Sequence, residues 1–244
     1  MTPPDPSPLL EARRPLFIHA HPDDETITTG GTLATLVARG AEVTVLTLTR
    51  GERGEVVAGP LHHLEGTEQL GAYREGELAA AMRALGISDQ RFLGFPGRVF
   101  RDSGMRWGPD GYAVADPSAS ADSLCLAPFD EVLDAARLVV AEVRPDALVS
   151  YDERGGYGHP DHVRAHEVAV RLAEEWAVPL YLIVPADAVR ADVGAVDVDP
   201  VAWSRKVAAL RCHATQVTVD GDDLVHSGGQ RQAIDRVEWF RRVL

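Results

Sequence analysis

Apolar positions fall into short solid runs separated by longer stretches of helical period. Residues 16–21 (LFIHAH) form a brief apolar run bounded by Pro15 and Pro22, the signature of a buried strand. Residues 42–49 (EVTVLTLT) are β-branched and alternating, and predict a second strand. Residues 91–95, 147–151 and 180–184 predict three more. Between them, residues 30–39 place Leu33, Leu36 and Val37 on one helical face and stop at Gly40. Residues 68–85 form a long amphipathic helix closed by Gly86. Residues 129–144 turn Val132, Leu133, Ala136, Val139 and Val140 inward and end at Pro145. Further helices are expected from about 162 to 176, near 201–212 and near 230–243. Residues 97–128 are rich in Gly, Pro, Asp and Ser and predict an irregular excursion, which in a compact domain is usually functional or mobile.

Strands alternating with helices predict an α/β, Rossmann-like fold: a mainly parallel sheet with helices on both faces. In such sheets ligands bind beyond the carboxyl ends of the strands, where the winding reverses. That places the expected active site at the C-terminal ends of strands one and four. The 244 residues suit one domain, with a core over about 16–184 and a C-terminal segment over 185–244.

Composition narrows the partners. A net charge of −13 and a pI near 5.1 disfavour phosphate backbones and anionic lipid, so nucleic acid is not expected. No apolar stretch approaches the ~20 residues of a membrane span. The proline-rich N-terminus through Pro15 lacks the basic and apolar regions of a signal peptide. Cys125 and Cys212 are distant and form no CxxC pair, which suits a reducing cytoplasm. Lys206 is the only lysine, a bias that points to no function. Oligomeric state is not written in the sequence; a homo-oligomer is compatible with it.

The unusual chemistry follows strands one and four. His21-Pro22-Asp23-Asp24-Glu25 offers one imidazole and three carboxylates. Residues 155–162 (GGYGHPDH) offer two imidazoles, a phenol and a carboxylate. Each alone reads as a helix-capping turn, with Asp24 or Thr26 capping in the first and solvated histidines in the second. Together, at neighbouring strand ends, they predict a metal site: His21, Asp24 and His162 give the two-His, one-carboxylate set of catalytic zinc, with Fe²⁺ accepted by the same ligands. Asp23 alternates with Asp24 and would face water as a general base. Asp161 either orients a histidine or caps the following helix. His62 and His63 read as a solvated pair, His19 as buried, and Cys212 as a packed helix residue. Gly30-Gly31 has no nucleotide-binding glycine pattern, and Ser150 and Ser204 have no nucleophile-elbow context.

At these motifs the chain resembles the LmbE/PIG-L family of zinc-dependent N-acetylglucosaminyl deacetylases, whose hallmarks are an HPDDE segment after the first strand and a later HPDH segment. The stretches 72–78 (AYREGEL), 101–105 (RDSGM), 151–166 (YDERGGYGHPDHVRAH) and 213–217 (HATQV) are similar to the deacetylases of mycothiol and bacillithiol synthesis and to the mycothiol conjugate amidase. The resemblance implies hydrolysis of the N-acetyl group of a GlcNAc conjugate, of GlcNAc-malate or GlcNAc-inositol type, in the making of a low-molecular-weight thiol. It implies His21, Asp24 and His162 as metal ligands, Asp23 as base, His159 as the aid to charge stabilisation and leaving-group protonation, and Tyr157 as the mobile residue that polarises the carbonyl. It also implies Arg74, Asp102 and Gln216 as substrate-holding residues, Gln216 lying in a tail segment that closes over the site. Arg98, near the site loops, is a further candidate for an anionic aglycone. The chain is shorter than the mycothiol enzymes after about Val184, which leaves open an amidase acting on thiol S-conjugates, or a deacetylase of another N-acetyl sugar.

Overall fold

The computed structural model describes residues 7–188 and 192–244. Residues 1–6 of the proline-rich N-terminus, on which the signal-peptide reading partly drew, lie outside them. β1 (Pro15–His19) leads into α1 (Asp24–Ala38), β2 (Thr44–Thr47), α2 (Gln69–Leu85) and β3 (Asp89–Phe92). Two small ribbons follow, β4 (Gly94–Phe95) with β5 (Arg98–Val99) and β6 (Met105–Trp107) with β7 (Ala113–Ala115). The chain continues through α3 (Phe129–Val143), β8 (Ala147–Ser150), the single turn α4 (Gly155–Gly158), α5 (Pro160–Trp176), β9 (Leu180–Val184), β10 (Val193–Asp197) and α6 (Pro200–Leu210). A three-stranded sheet of β11 (Val217–Asp220), β12 (Asp223–His226) and β13 (Arg231–Ala233) precedes β14 (Val237–Arg242).

The main sheet has the order β10-β14-β9-β8-β1-β2-β3. Only β14 runs against the other six strands. This is the expected α/β architecture. β1 lies between β2 and β8, so the winding reverses between β1 and β8, where Leu16 is in register with both Thr44 and Leu148. Alternation along β1 splits the core in two. Leu16 and Ile18 pack with α3 and α5 residues such as Leu133, Val140, Val168 and Leu172. Phe17 faces the other way, among Leu33 and Leu36 of α1, Leu78 and Met82 of α2, and Ala202 and Ala209 of α6. Both faces are covered, so the central strands β1, β2 and β8 are buried throughout.

Four expectations change. α1 starts at Asp24, six residues before the expected position 30: Asp24 and Glu25 occupy its first turn, where exposed N–H groups favour carboxylates. The third strand divides, because Gly94 leaves the sheet to pair with Val99. The excursion over 97–128 is partly ordered by the two ribbons. The helix expected over 230–243 is absent. β13 and β14 replace it, and β14 fills the edge of β9 with Trp239 opposite Val184. Its burial alternates, with Glu238 and Phe240 inside, so cross-strand pairing overrides local helical preference.

Glu238 also gives the single lysine a role. Its carboxylate accepts the N–H groups of Gly31 (2.9 Å) and Thr32 (2.7 Å) in mid-α1 and the Lys206 ammonium (2.8 Å), with both charged side chains buried. A Cβ on Gly31 would come within 2.3 Å of Val198, so the glycine permits this approach. Removing one partner of a buried pair strands the other charge at a cost of about 3–5 kcal/mol, so the cluster ties α1, α6 and β14 together firmly. No helix among the described residues is long and apolar enough to cross a membrane.

Candidate metal and catalytic site

Because β1 and β8 pair in parallel, the HPDDE turn and the 155–162 loop leave the sheet side by side. His21 Nδ1 lies 3.2 Å from Asp24 Oδ2, His162 Nε2 lies 3.3 Å from the same oxygen, and the two ring nitrogens are 3.3 Å apart. The outer ring atoms decide the tautomers. His21 Nε2 faces the Asp161 carboxylate (3.2 Å), and His162 Nδ1 faces the Gly155 carbonyl (3.2 Å). Both partners only accept, so each of these nitrogens carries the hydrogen. The inner nitrogens therefore point lone pairs at each other and at Asp24. Tyr151 donates to the same Asp24 oxygen (2.7 Å), as does the His21 N–H (2.9 Å). Three converging lone-pair donors in a largely buried place repel unless a cation lies among them. Their separations match the ~3.3–3.4 Å edges of a tetrahedron with ligands at ~2.0–2.1 Å. The donor set thus fits a divalent ion.

The charges agree. Burial works against a charged His21, yet Asp102, Asp161 and Asp24 outweigh it and hold the imidazole well above its usual range. Burial likewise opposes ionisation of Asp24, but His162 and His21 hold it well below the usual carboxylate range. Both shifts favour positive charge beside Asp24.

His159 lies within ligand distance of His21 and His162. Its Nδ1 accepts the Asp161 N–H (3.1 Å), so it caps α5 and keeps Nε2 as a donor for the cleft. Burial first, then the neighbouring His21 and His162, push its pKa down to about 2, so it is a neutral donor. The two readings of Asp161 thus separate. The cap is His159, and the Asp161 carboxylate contacts His21, the Ser103 N–H (2.9 Å) and the Ser103 hydroxyl. Tyr157 stands at the rim, 44% exposed, its ring 5.1 Å from that of His162.

Asp23 is the strained residue. Its φ of +119° lies where L-residues rarely sit and costs about 1–3 kcal/mol. It occupies the N-cap of α1 without using its side chain to cap. Arg74 holds it, donating to Asp23 Oδ1 (3.2 Å) and to the Pro22 carbonyl (2.5 Å). Burial raises the Asp23 pKa to about 6 although Arg74 opposes the shift.

Arg74 is itself buried and also donates to Gly51 O (2.7 Å). Asp102 is buried 3.6 Å from His21 Nε2, accepting from the Arg53 and Gly104 N–H groups. Gln216 is half-buried and bonds Thr215. A cavity of about 520 Å³ runs out from Asp102 past Glu52, Arg53, Glu65 and Arg101. Arg98 does not join them: it pairs with Glu131 at 2.8 Å and stacks on Phe100. His62 and His63 bond only loop carbonyls at the surface, His19 is buried against Tyr151, and Cys125 and Cys212 are free thiols.

Sequence reasoning gave no role to Tyr151, Ser103, Glu25 or His213, though each lies within one of the quoted motifs. Tyr151 follows β8 directly, opposite the first motif across the switch point, and its signals were that position and its place at the head of the 151–166 motif.

Residues 16–173 match the family model described as PIG-L, GlcNAc-PI de-N-acetylase. The chain belongs to this family. A 1D-myo-inositol 2-acetamido-2-deoxy-alpha-D-glucopyranoside deacetylase of Geodermatophilus obscurus is 42% identical, over 96% of this chain and 93% of the relative. One of the same description from Streptomyces avermitilis is 40% identical over the same shares. Among solved structures, the zinc-inhibited form of the teicoplanin deacetylase Orf2 is 25% identical with a TM-score of 0.61, over 82% of this chain and 84% of that one. The family match ends at the helix α5, so β9 to β14 lie beyond it.

Proposed function

We propose that this chain is a metal-dependent deacetylase that hydrolyses the N-acetyl group of a GlcNAc conjugate, releasing acetate and the free amine, with GlcNAc-inositol as the conjugate. The observation that carries the reading is the convergence of His21, Asp24 and His162 lone pairs beside a strained, uncapped Asp23. The family match and the naming of the 40%-identical relatives support the substrate.

His21, Asp24 and His162 would hold the metal, Zn²⁺ or Fe²⁺. When bound there, it supplies Lewis acidity toward the amide carbonyl and toward water. Asp23 accepts a proton at its carboxylate as water attacks, and a carboxylate with its pKa raised toward neutrality is a stronger base than an ordinary aspartate. Tyr157 Oη and His159 Nε2 donate to the carbonyl oxygen as it gains charge; one such donor is typically worth ~10²–10³ in rate. The depressed pKa of His159 favours a neutral hydrogen-bond donor, which departs from the leaving-group protonation that the resemblance implies for it; the proton that the amine needs then comes from Asp23, which took it from water. Arg74 serves foremost by fixing Asp23. Asp102 and Gln216 contact the sugar conjugate, whose aglycone occupies the 520 Å³ cavity. The segment 185–244 closes one side of the site through its 213–216 stretch.

The cavity discriminates by charge. Glu52, Glu55, Glu65, Glu68 and Asp102 line it against Arg53 and Arg101, and Arg53 is already paired with Asp116 at 3.2 Å. Like-charge contacts inside a cleft penalise an anionic aglycone, while a neutral polyol can donate hydroxyls to the carboxylates. Release of free amine is therefore expected to be at least about tenfold faster in kcat/KM for GlcNAc-inositol than for GlcNAc-malate, a bias of ~1.4 kcal/mol. Equal rates, or preference for the malate, would remove the substrate assignment. Turnover of thiol S-conjugates alone would replace it with the amidase reading.

A further inference from the structure

An aspartate at a helix N-cap ordinarily adopts extended dihedrals and spends its side chain on the first free N–H groups. Asp23 does neither, and something else must hold a backbone that prefers to relax. Glu25 does so. Its Oε2 accepts the Asp23 N–H at 3.1 Å, the backward half of a capping box moved one residue toward the helix start. That carboxylate is fully buried and needs a donor of its own. Thr26 Oγ1 is one, and His213 Nε2, 3.2 Å from Glu25 Oε1, is the other.

His213 is equally buried and cannot drift. Its N–H donates to Leu210 O at the end of α6 (3.1 Å), and its carbonyl accepts from Gln216 and Val217 (3.0 Å each). Two residues on, Thr215 bonds Glu77 of α2 through its N–H (2.8 Å) and hydroxyl (2.6 Å). Glu77 lies one turn from Arg74, the residue that grips Asp23 from the side-chain end. The turn is thus held at two points, Glu25 and Arg74, and the C-terminal segment backs the first of them through His213.

We propose that His213 is a positioning residue for the reaction, acting through Glu25 to keep Asp23 in its strained, base-ready conformation. His213 touches neither substrate nor metal in this arrangement, and the proposal rests on the deacetylase reading given above.

The test uses the full chain loaded with zinc, with GlcNAc-inositol as substrate, and the variants His213→Leu and His213→Gln. Misplacing a reacting group by ~1 Å can cost ~10²-fold, so H213L is expected to lose about 10–100-fold in kcat with KM and zinc content unchanged. H213Q keeps a side-chain N–H for Glu25 and is expected to regain most of the loss. An H213L with wild-type kcat, or an H213Q as slow as a folded H213L, overturns the proposal. Should H213L not fold, Glu25→Gln carries the same expectation for kcat, and wild-type turnover there overturns it. A readout without turnover separates this from the deacetylase reading: in metal-free protein, exchange of the Asp23 amide hydrogen is expected to quicken about tenfold or more in H213L while mid-α1 amides stay protected. Unchanged exchange at Asp23 overturns the proposal whether or not the wild type turns over this substrate.

Discussion

Replacing Asp23 with asparagine is expected to lower kcat by about 10²–10⁴-fold, the span of a positioned general base, while zinc still binds one per chain. Asparagine keeps the shape and still accepts from Arg74 through its carbonyl oxygen, so the turn should survive. What it lacks is a place for the proton. The effect belongs in kcat, because Asp23 sits beside the proposed metal ligands and its carboxylate is already satisfied on one oxygen by the guanidinium. Steady-state kinetics with metal analysis on the same sample checks this; an Asp23→Asn protein with wild-type kcat would remove Asp23 from the chemistry.

Replacing Asp24 with alanine is expected to abolish both zinc retention and amine release. Asp24 Oδ2 is the atom that His21 and His162 share, and without it two neutral imidazoles remain, too few for a catalytic zinc site. Asp161→Asn is the graded companion. Asp161 supports His21 from the far side of its ring, and loss of such support typically weakens metal binding by ~10–100-fold. Zinc titration of the three proteins should therefore rank wild type, Asp161→Asn and Asp24→Ala in falling affinity. If Asp24→Ala binds as tightly as wild type, the metal lies elsewhere, and the buried group of His21, Asp102, His159 and Asp161 is the place to look.

The contrast between these two aspartates was partly legible in the sequence. Adjacent residues after a strand point in different directions, and the two-His, one-carboxylate arithmetic of His21, Asp24 and His162 follows from spacing once two strand ends are neighbours. The sheet was legible for the same reason: runs such as residues 16–21 and 147–151 are mostly apolar because helices cover both faces. Other features depend on contacts between distant residues. The φ of Asp23 is held by Arg74 and by Glu25, which His213 backs from the C-terminal segment, and no local preference encodes it. Gln230 to Val243 carries a mixed pattern that β9 resolves by offering an edge. Lys206 looked like a compositional accident until Glu238, 32 residues later, was found beside it. Arg98 looked available because Glu131 lies on a helix that spacing does not bring near. The C-terminal segment was the least legible part, and it supplies Glu238, His213 and Gln216 to the neighbourhood of α1 and the site.

The central claim is that converging lone pairs of His21, Asp24 and His162 make a metal centre for amide hydrolysis. The most direct measurement is to strip the protein of metal, add zinc back in steps, and follow amine release from GlcNAc-inositol alongside bound zinc. The account predicts no release from stripped protein and a rise that saturates near one zinc per chain. Release at full rate by metal-free protein, or stoichiometric zinc binding with no release, would contradict it.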